Sequence, residues 1–260
     1  MRISKSDLKL LRSLAQKKVR DRERKFVVEG WKPLRDALNS DFQTDFVAIV
    51  ESQAQDPDHS AFLKDIDARG IPRKELTDLE LQQVTGTVHA QGIVAVARQR
   101  RDTIDEIMRE HPALLVLADR IADPGNLGTI VRTCDWFGVD ALILGEGCVD
   151  LYNEKVVRST SGSIFHVRVA DHVPESDALS KAKASGFKIV VTAADSNTSY
   201  TDANFGKKNL IILGNEASGV QPGLRRLADA VVGIPRQGKA ESLNVGVACG
   251  IILSYLSRRR

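Results

Sequence analysis

The sequence predicts an α/β protein of two domains, the second built around a parallel sheet. Three observations carry that expectation. Short apolar runs alternate with segments of helical period along the chain, the pattern of right-handed β-α-β crossovers. The run "ALLVLADR" (113–120) is apolar almost without interruption, as a strand buried on both faces must be. A mixed stretch, "RRDTIDEIMREHP" (100–112), then interrupts the alternation and divides the 260 residues into 1–106 and 107–260.

In the first half, "SKSDLKLLRSLAQKKVR" carries Leu8, Leu11, Ala15 and Val19 at helical spacing among lysines and arginines. It reads as one amphipathic basic helix capped by Ser4 or Ser6. "KFVVEG" follows as a strand and "WKPLRDALNS" as a helix, with Pro33 in its first turn. "DFVAIV" is a strand. "HSAFLKDIDARG" is a helix stopped at Gly70, and "TDLELQQVTG" a helix from a Thr77 cap to a Gly86 stop. "GIVAVARQR" closes the half as a strand.

In the second half, "ALLVLADR", "DALILGEG", "HVRVAD", "KIVVTAAD", "NLIILGNE" and "VVGIP" read as strands. Between them, "NLGTIVRTCDWFG", the first part of "NEKVVRSTSGSIF", "ESDALSKAKASG" and "PGLRRLADA" read as helices. A final apolar helix follows "GKAESLN" near the C-terminal end. No internal repeat or low-complexity segment is present.

Composition narrows the function classes. The apolar fraction of 42% and charged fraction of 27% are those of an ordinary globular protein. No apolar run approaches a membrane span, and "MRISKSDLKL" lacks the core and cleavage site of an export signal. Cys134, Cys148 and Cys249 are too few and too scattered for a disulfide framework or a zinc site, and all lie among apolar residues. The five histidines form no HxxxH or HExxH pattern. The expectation is a metal-free protein of the reducing cytoplasm. Residues 1–25 hold ten Lys or Arg against three acids, and the chain ends in three arginines. Such a cluster suits a polyphosphate partner and, equally, a solvated helix face.

Ligands of open α/β sheets bind beyond the carboxyl ends of strands. Three such ends are rich in Gly and polar groups. In "ADRIADPGNLGTIVRTC", Asp123-Pro124-Gly125-Asn126 is a turn, with Asn126 suited to cap the next helix. Leu127, Ile130, Val131 and Cys134 form that helix's apolar stripe. Arg132 stands about 140° away from Leu127, positioned for an anion or for solvent. In "LIILGNEASGV", Gly214 and Gly219 permit close backbone approach, and Glu216 at a strand end can orient a polar substrate; a plain tight turn fits the same residues. The loop matches neither GxGxxG nor a phosphate-binding GK[ST]. In "VVGIPRQGKAESLNVGVA", Glu241, Ser242 and Asn244 crowd one helix start, more polar groups than a single cap requires.

"DPGNLGTIVRTCDWFG", "LGNEASGV" and "IPRQGKAESLNVGVA" resemble, in order and spacing, the three signature motifs of the SpoU/TrmH ribose 2′-O-methyltransferases of the SPOUT class. The resemblance covers roughly residues 112–256. "STSGSIFHV" (159–167) resembles the Ser/Gly segment between the first two motifs. The first hundred residues look like a ribosomal-protein-like, RNA-binding substrate domain.

The resemblance implies a deep trefoil knot in the parallel-sheet domain and S-adenosyl-L-methionine as cofactor. Leu213, Gly214, Asn215, Gly219, Ile234, Pro235 and Leu243 would line the cofactor site. Arg132 would be the catalytic arginine, with Asn126, Glu216, Ser242 and Asn244 positioning it or the substrate. It further implies a homodimer with its site near the subunit interface, and RNA as substrate, ribosomal or transfer; the additional first domain favours ribosomal RNA. Two positions depart from the family pattern: Arg236 replaces a frequent Met, and Gly246 a frequent Ser. Three other readings stand beside this one: a knotted enzyme that methylates an RNA base, a silent RNA-binding relative, and an unrelated α/β enzyme of a phosphorylated small substrate.

Overall fold

The computed structural model describes residues 1–85 and 90–259, so the expected Gly86 helix stop and Arg260 lie outside the described residues. The chain forms two units, Met1–Arg100 with Tyr152–His166, and Arg101–Leu151 with Val167–Arg260. The single expected cut at 106 therefore differs in two respects. The first crossing falls at residue 100, and Tyr152–His166 returns to the first unit.

The first unit contains α1 (Lys5–Ser13), α2 (Lys17–Glu23), β1 (Lys25–Glu29), α3 (Trp31–Leu38), β2 (Thr44–Val50), α4 (Glu51–Ala54), α5 (Ser60–Ala68), β3 (Arg73–Leu76), α6 (Asp78–Gln82) and β4 (Ile93–Arg98). The expected single N-terminal helix is two. Ser4 caps the start of α1, and Leu14 is its C-cap. Arg20, 3% exposed, sets the break by donating to the carbonyls of Leu14 (2.8 Å) and Ala15 (2.7 Å). Leu11 and Leu14 are buried, whereas Ala15 is exposed. The capping box Thr77–Glu80 starts α6 as expected.

The sheet order is β1-β4-β2-β3. The sheet is not parallel throughout: β4 runs antiparallel to both β1 and β2, and only β2 and β3 are parallel. Apolar periodicity marks a strand but not its direction. β3, "RKEL", escaped the sequence reading because it is a charged edge strand with only Leu76 buried. Phe26 of β1 packs against Phe42, Tyr152 and Phe165, which ties the returning segment to this unit.

The remaining elements, in chain order, are α7 (Ile104–Arg109), β5 (Leu114–Ala118), α8 (Pro124–Trp136), β6 (Ala141–Gly145), α9 (Glu154–Thr160, in the returning segment), β7 (Val169–Val173), α10 (Glu175–Ala184), β8 (Lys188–Thr192), β9 (Asn209–Leu213), α11 (Pro222–Arg226), β10 (Ala230–Val232) and α12 (Val245–Ser257). The helix α7, hidden in the mixed stretch, starts at a Thr103–Glu106 capping box. Six strands form one parallel sheet, ordered β10-β8-β9-β5-β6-β7. The central strands β5, β6 and β9 are buried at every position, which is why their sequences are apolar apart from Asn209, whose side chain is satisfied by Gly206. Leu115, Leu117, Ile143 and Ile212 meet Ile107, Ala178, Leu179 and Ala182 in one core. The helices α8 and α12 run side by side in the same direction, Gly246 against Thr129 and Gly250 against Thr133 one turn further on.

Candidate active site

The site is built from the carboxyl ends of β5, β9 and β10. After β5 the chain turns through Asp123, whose side chain accepts from the Asn126 backbone N–H at 2.8 Å and caps α8, with Pro124 at the first helical position. The expected cap was Asn126. With Asp123 in that role, the Asn126 amide is free to reach sideways. Its Nδ2 donates to Glu216 Oε1 at 2.9 Å, and its Oδ1 accepts from Asn244 Nδ2 at 2.7 Å. Asn244 is itself the cap of α12, its Oδ1 accepting from Gly246 N at 2.9 Å and Val247 N at 3.3 Å.

This chain of bonds has one possible polarity. An ionised Glu216 only accepts, so Asn126 must turn its NH₂ towards it and its oxygen away. Asn244 must then turn its NH₂ to Asn126 and its oxygen to the free N–H groups of the α12 start. Three of the four predicted positioning residues are thus joined, one from each motif, and Ser242 stays outside the chain of bonds. Asn126 retains one N–H and one oxygen lone pair for a further partner.

Glu216 also accepts from the backbone N–H groups of Asp123 (3.3 Å) and Ala122 (3.4 Å). Burial by itself would raise its pKa. The bonds from Asn126, its own backbone, Asp123 and Ala122 outweigh burial and hold the carboxyl below the usual glutamate range. A carboxylate so occupied orients neighbours rather than accepting a proton.

The turn that presents Glu216 is held by Asn215. The Asn215 Oδ1 accepts from Ala217 N and Ser218 N, both at 3.0 Å, and the Gly219 N–H closes the turn on the Asn215 carbonyl at 2.9 Å. A Cβ on Gly214 would overlap Val220 N and the Gly219 carbonyl carbon, so only glycine fits there. Gly219 occupies the left-handed region at φ +67°. Leu213 is fully buried in β9, and its carbonyl accepts from Asp119 N at 2.8 Å.

The segment after β10 is finished differently. Among the described residues, 234–243 form no backbone–backbone hydrogen bond. Ile234 is half-buried, Pro235 and Ser242 are exposed, and Leu243 is 49% exposed. The loop offers peptide groups beside apolar side chains, as a ligand with a flat heterocycle and polar edges requires. Arg132 is not part of the Glu216–Asn126–Asn244 chain. It is exposed on α8, about 9 Å further along the axis than Asn126, and its guanidinium makes no hydrogen bond with the described residues. Of the two departures, Arg236 donates to the Ala240 carbonyl at 3.2 Å. Gly246 is a packing position: a Cβ there would stand 2.7 Å from Thr129 Cγ2.

Sequence reading missed Asp119, wholly buried at the end of β5, and Asp123. The signal for Asp123 was the Asp-Pro step itself, a cap followed by the residue best suited to the first helical position.

The second unit is thus a parallel α/β sheet whose polar strand-end loops are drawn together by side-chain amides. The comparisons with known proteins go further. Residues 113–254 match the model of the SpoU rRNA Methylase family, and residues 5–95 that of the MRM3-like substrate binding domain. The chain belongs to the SpoU rRNA methylase family. It is 32% identical over 245 residues to the 23S rRNA (guanosine(2553)-2′-O)-methyltransferase RlmP of Bacillus subtilis, covering 94% of this chain and 93% of that one. Its fold matches an AdoMet-bound rRNA methyltransferase from Sinorhizobium meliloti at TM-score 0.86 and 31% identity, over 98% of this chain and 95% of the other. The SpoU methyltransferase AviRb from Streptomyces viridochromogenes, in complex with AdoMet, matches at TM-score 0.86 and 26% identity, over 99% and 98%.

Proposed function

We propose that this protein methylates the 2′-hydroxyl of a ribose in structured RNA, ribosomal rather than transfer, using S-adenosyl-L-methionine. The observation that carries this reading is the Glu216–Asn126–Asn244 chain, which joins all three strand-end segments of a family member at one place. The cofactor supplies an electrophilic methyl carbon whose leaving group departs neutral. Leu213, Gly214, Asn215, Gly219, Ile234, Pro235 and Leu243 would hold it: the glycines admit it to the backbone, and Ile234 and Leu243 supply apolar contact.

The protein's own contribution is alignment, which can lower a barrier by roughly 7–11 kcal/mol. Asn126, locked in one orientation, offers its remaining N–H and lone pair to the ribose. Ser242 adds a hydroxyl at the rim. Arg132 is permanently charged and unencumbered, so it clamps an RNA phosphate and the attacking hydroxyl, while the proton passes to a phosphate oxygen or water.

The protein works as a homodimer in the cytoplasm. Trp136 on α8 (83% exposed) and Val247 on α12 (51% exposed) support an apolar contact between copies beside the site. In the first unit, Lys5, Lys9 and Lys18 are exposed and supply RNA phosphate contacts; the buried Arg20 does not.

Calorimetric titration with S-adenosylmethionine, followed by mapping of 2′-O-methyl sites in ribosomal and transfer RNA with and without the gene, tests the reading. Methyl groups on a base, or no cofactor binding, would overturn it. Arg132→Lys keeps the charge and loses the fork; turnover falls roughly 10- to 100-fold if the guanidinium clamps two groups.

A further inference from the structure

We propose that Arg120, anchored by Asp119, is a positioning residue that acts on the reaction through Glu216; the proposal rests on the methyltransfer reading. Arg120 is a non-glycine residue at φ +55°, in the left-handed region that side chains rarely adopt. That conformation gives it two holds on the turn that presents Glu216. Its carbonyl accepts from Asn215 Nδ2 at 2.8 Å, and its guanidinium bends back to donate from Nη2 to the Gly219 carbonyl at 3.3 Å. Both ends of the 215–219 turn are therefore gripped by one residue.

The guanidinium is fixed in turn. Its Nε donates to Asp119 Oδ1 at 2.9 Å, and Asp119 is 0% exposed. Asp119 also accepts from the Gln221 backbone N–H at 2.7 Å and from Gln221 Nε2 at 2.8 Å, which pins the chain just past the turn. Gly147 leaves room for the arginine stem, since a Cβ there would stand 3.2 Å from Arg120 Cγ.

The consequence falls on Glu216. Its bonds to the Asp123 and Ala122 N–H groups are already 3.3 and 3.4 Å long, at the limit of useful hydrogen bonding. Any relaxation of the turn breaks them and swings Glu216, and with it Asn126, out of line. The strain at residue 120 has a purpose in this view: it places a carbonyl and a guanidinium of one residue on both ends of one turn.

The test is a double-mutant cycle with Arg120→Gly and Glu216→Gln, with Arg120→Lys as the conservative variant. Glycine is at ease at φ +55°, so Arg120→Gly removes the guanidinium without backbone strain, and thermal unfolding checks that it folds. In the wild-type background Arg120→Gly lowers kcat roughly 10-fold with KM for RNA within about twofold, and Arg120→Lys recovers part of the loss. In the Glu216→Gln background Arg120→Gly changes kcat less than about twofold, because the residue it acts through is already disabled. Wild-type kcat in folded Arg120→Gly, or losses that simply multiply in the double variant, would overturn the proposal while leaving methyl transfer intact. A wild-type protein that neither binds S-adenosylmethionine nor methylates RNA would instead overturn the reading beneath it.

Discussion

The turn after β9 and the segment after β10 leave the same parallel sheet with one strand, β8, between them, and they satisfy their polar groups in opposite ways. Residues 215–219 are closed by their own side chains and by Arg120, and Gly214 just before them admits no Cβ. Residues 234–243 make no backbone–backbone bond among the described residues and hold Leu243 half in solvent. One segment is closed by the chain's own groups and the other is left open. The difference suits methyl transfer, in which the groups that align the reacting atoms must be rigid and the groups that admit the cofactor must open and close.

Alanine in place of glycine breaks that comparison most sharply. Gly214→Ala forces a Cβ into the Val220 and Gly219 backbone, so urea unfolding shows a loss of about 1–3 kcal/mol and methylation collapses. Gly238→Ala, in the open segment, has no atom within 4 Å of the new Cβ, so stability without cofactor changes by less than about 0.5 kcal/mol. Equal losses at both positions would erase the contrast. Asn244 sharpens it next, because it both caps α12 and donates to Asn126. Asn244→Ala costs about 1 kcal/mol of stability together with activity. Asn244→Asp keeps the cap and suits the helix start, so stability holds while methylation falls roughly 10-fold for want of the donated N–H.

The smallest effect is a pH dependence. Glu216 is held below its ordinary value of 4.5, so the stability it contributes is full above that value and is lost as pH falls through the lowered one. The advantage of wild type over Glu216→Gln in urea unfolding therefore shrinks on acidification. An advantage that grew on acidification would mean that the carboxyl is raised, not lowered.

Burial decides what the sequence made legible. β5, β6 and β9 were readable because strands covered on both faces are apolar almost throughout. β3 and the direction of β4 were not, since an edge strand can be charged and an apolar run has no arrow. The participants Asn126, Glu216 and Asn244 came from motif resemblance, whereas periodicity alone offered only turns and caps. Their bonding could not be read, because it depends on Asp123 taking the cap that Asn126 was expected to fill. Arg120 and Asp119 were silent for a related reason. An Asp-Arg pair at a strand end looks like solvated charge until the left-handed backbone folds the arginine inward.

The contact of Gly246 with Thr129 couples two positions far apart in the chain. A Cβ at 246 would stand 2.7 Å from the threonine methyl, and that threonine is held by its own bond to the Gly125 carbonyl at 2.8 Å. A side chain at 246 therefore requires the threonine methyl to move or position 129 to be smaller, so the two positions are coupled in packing.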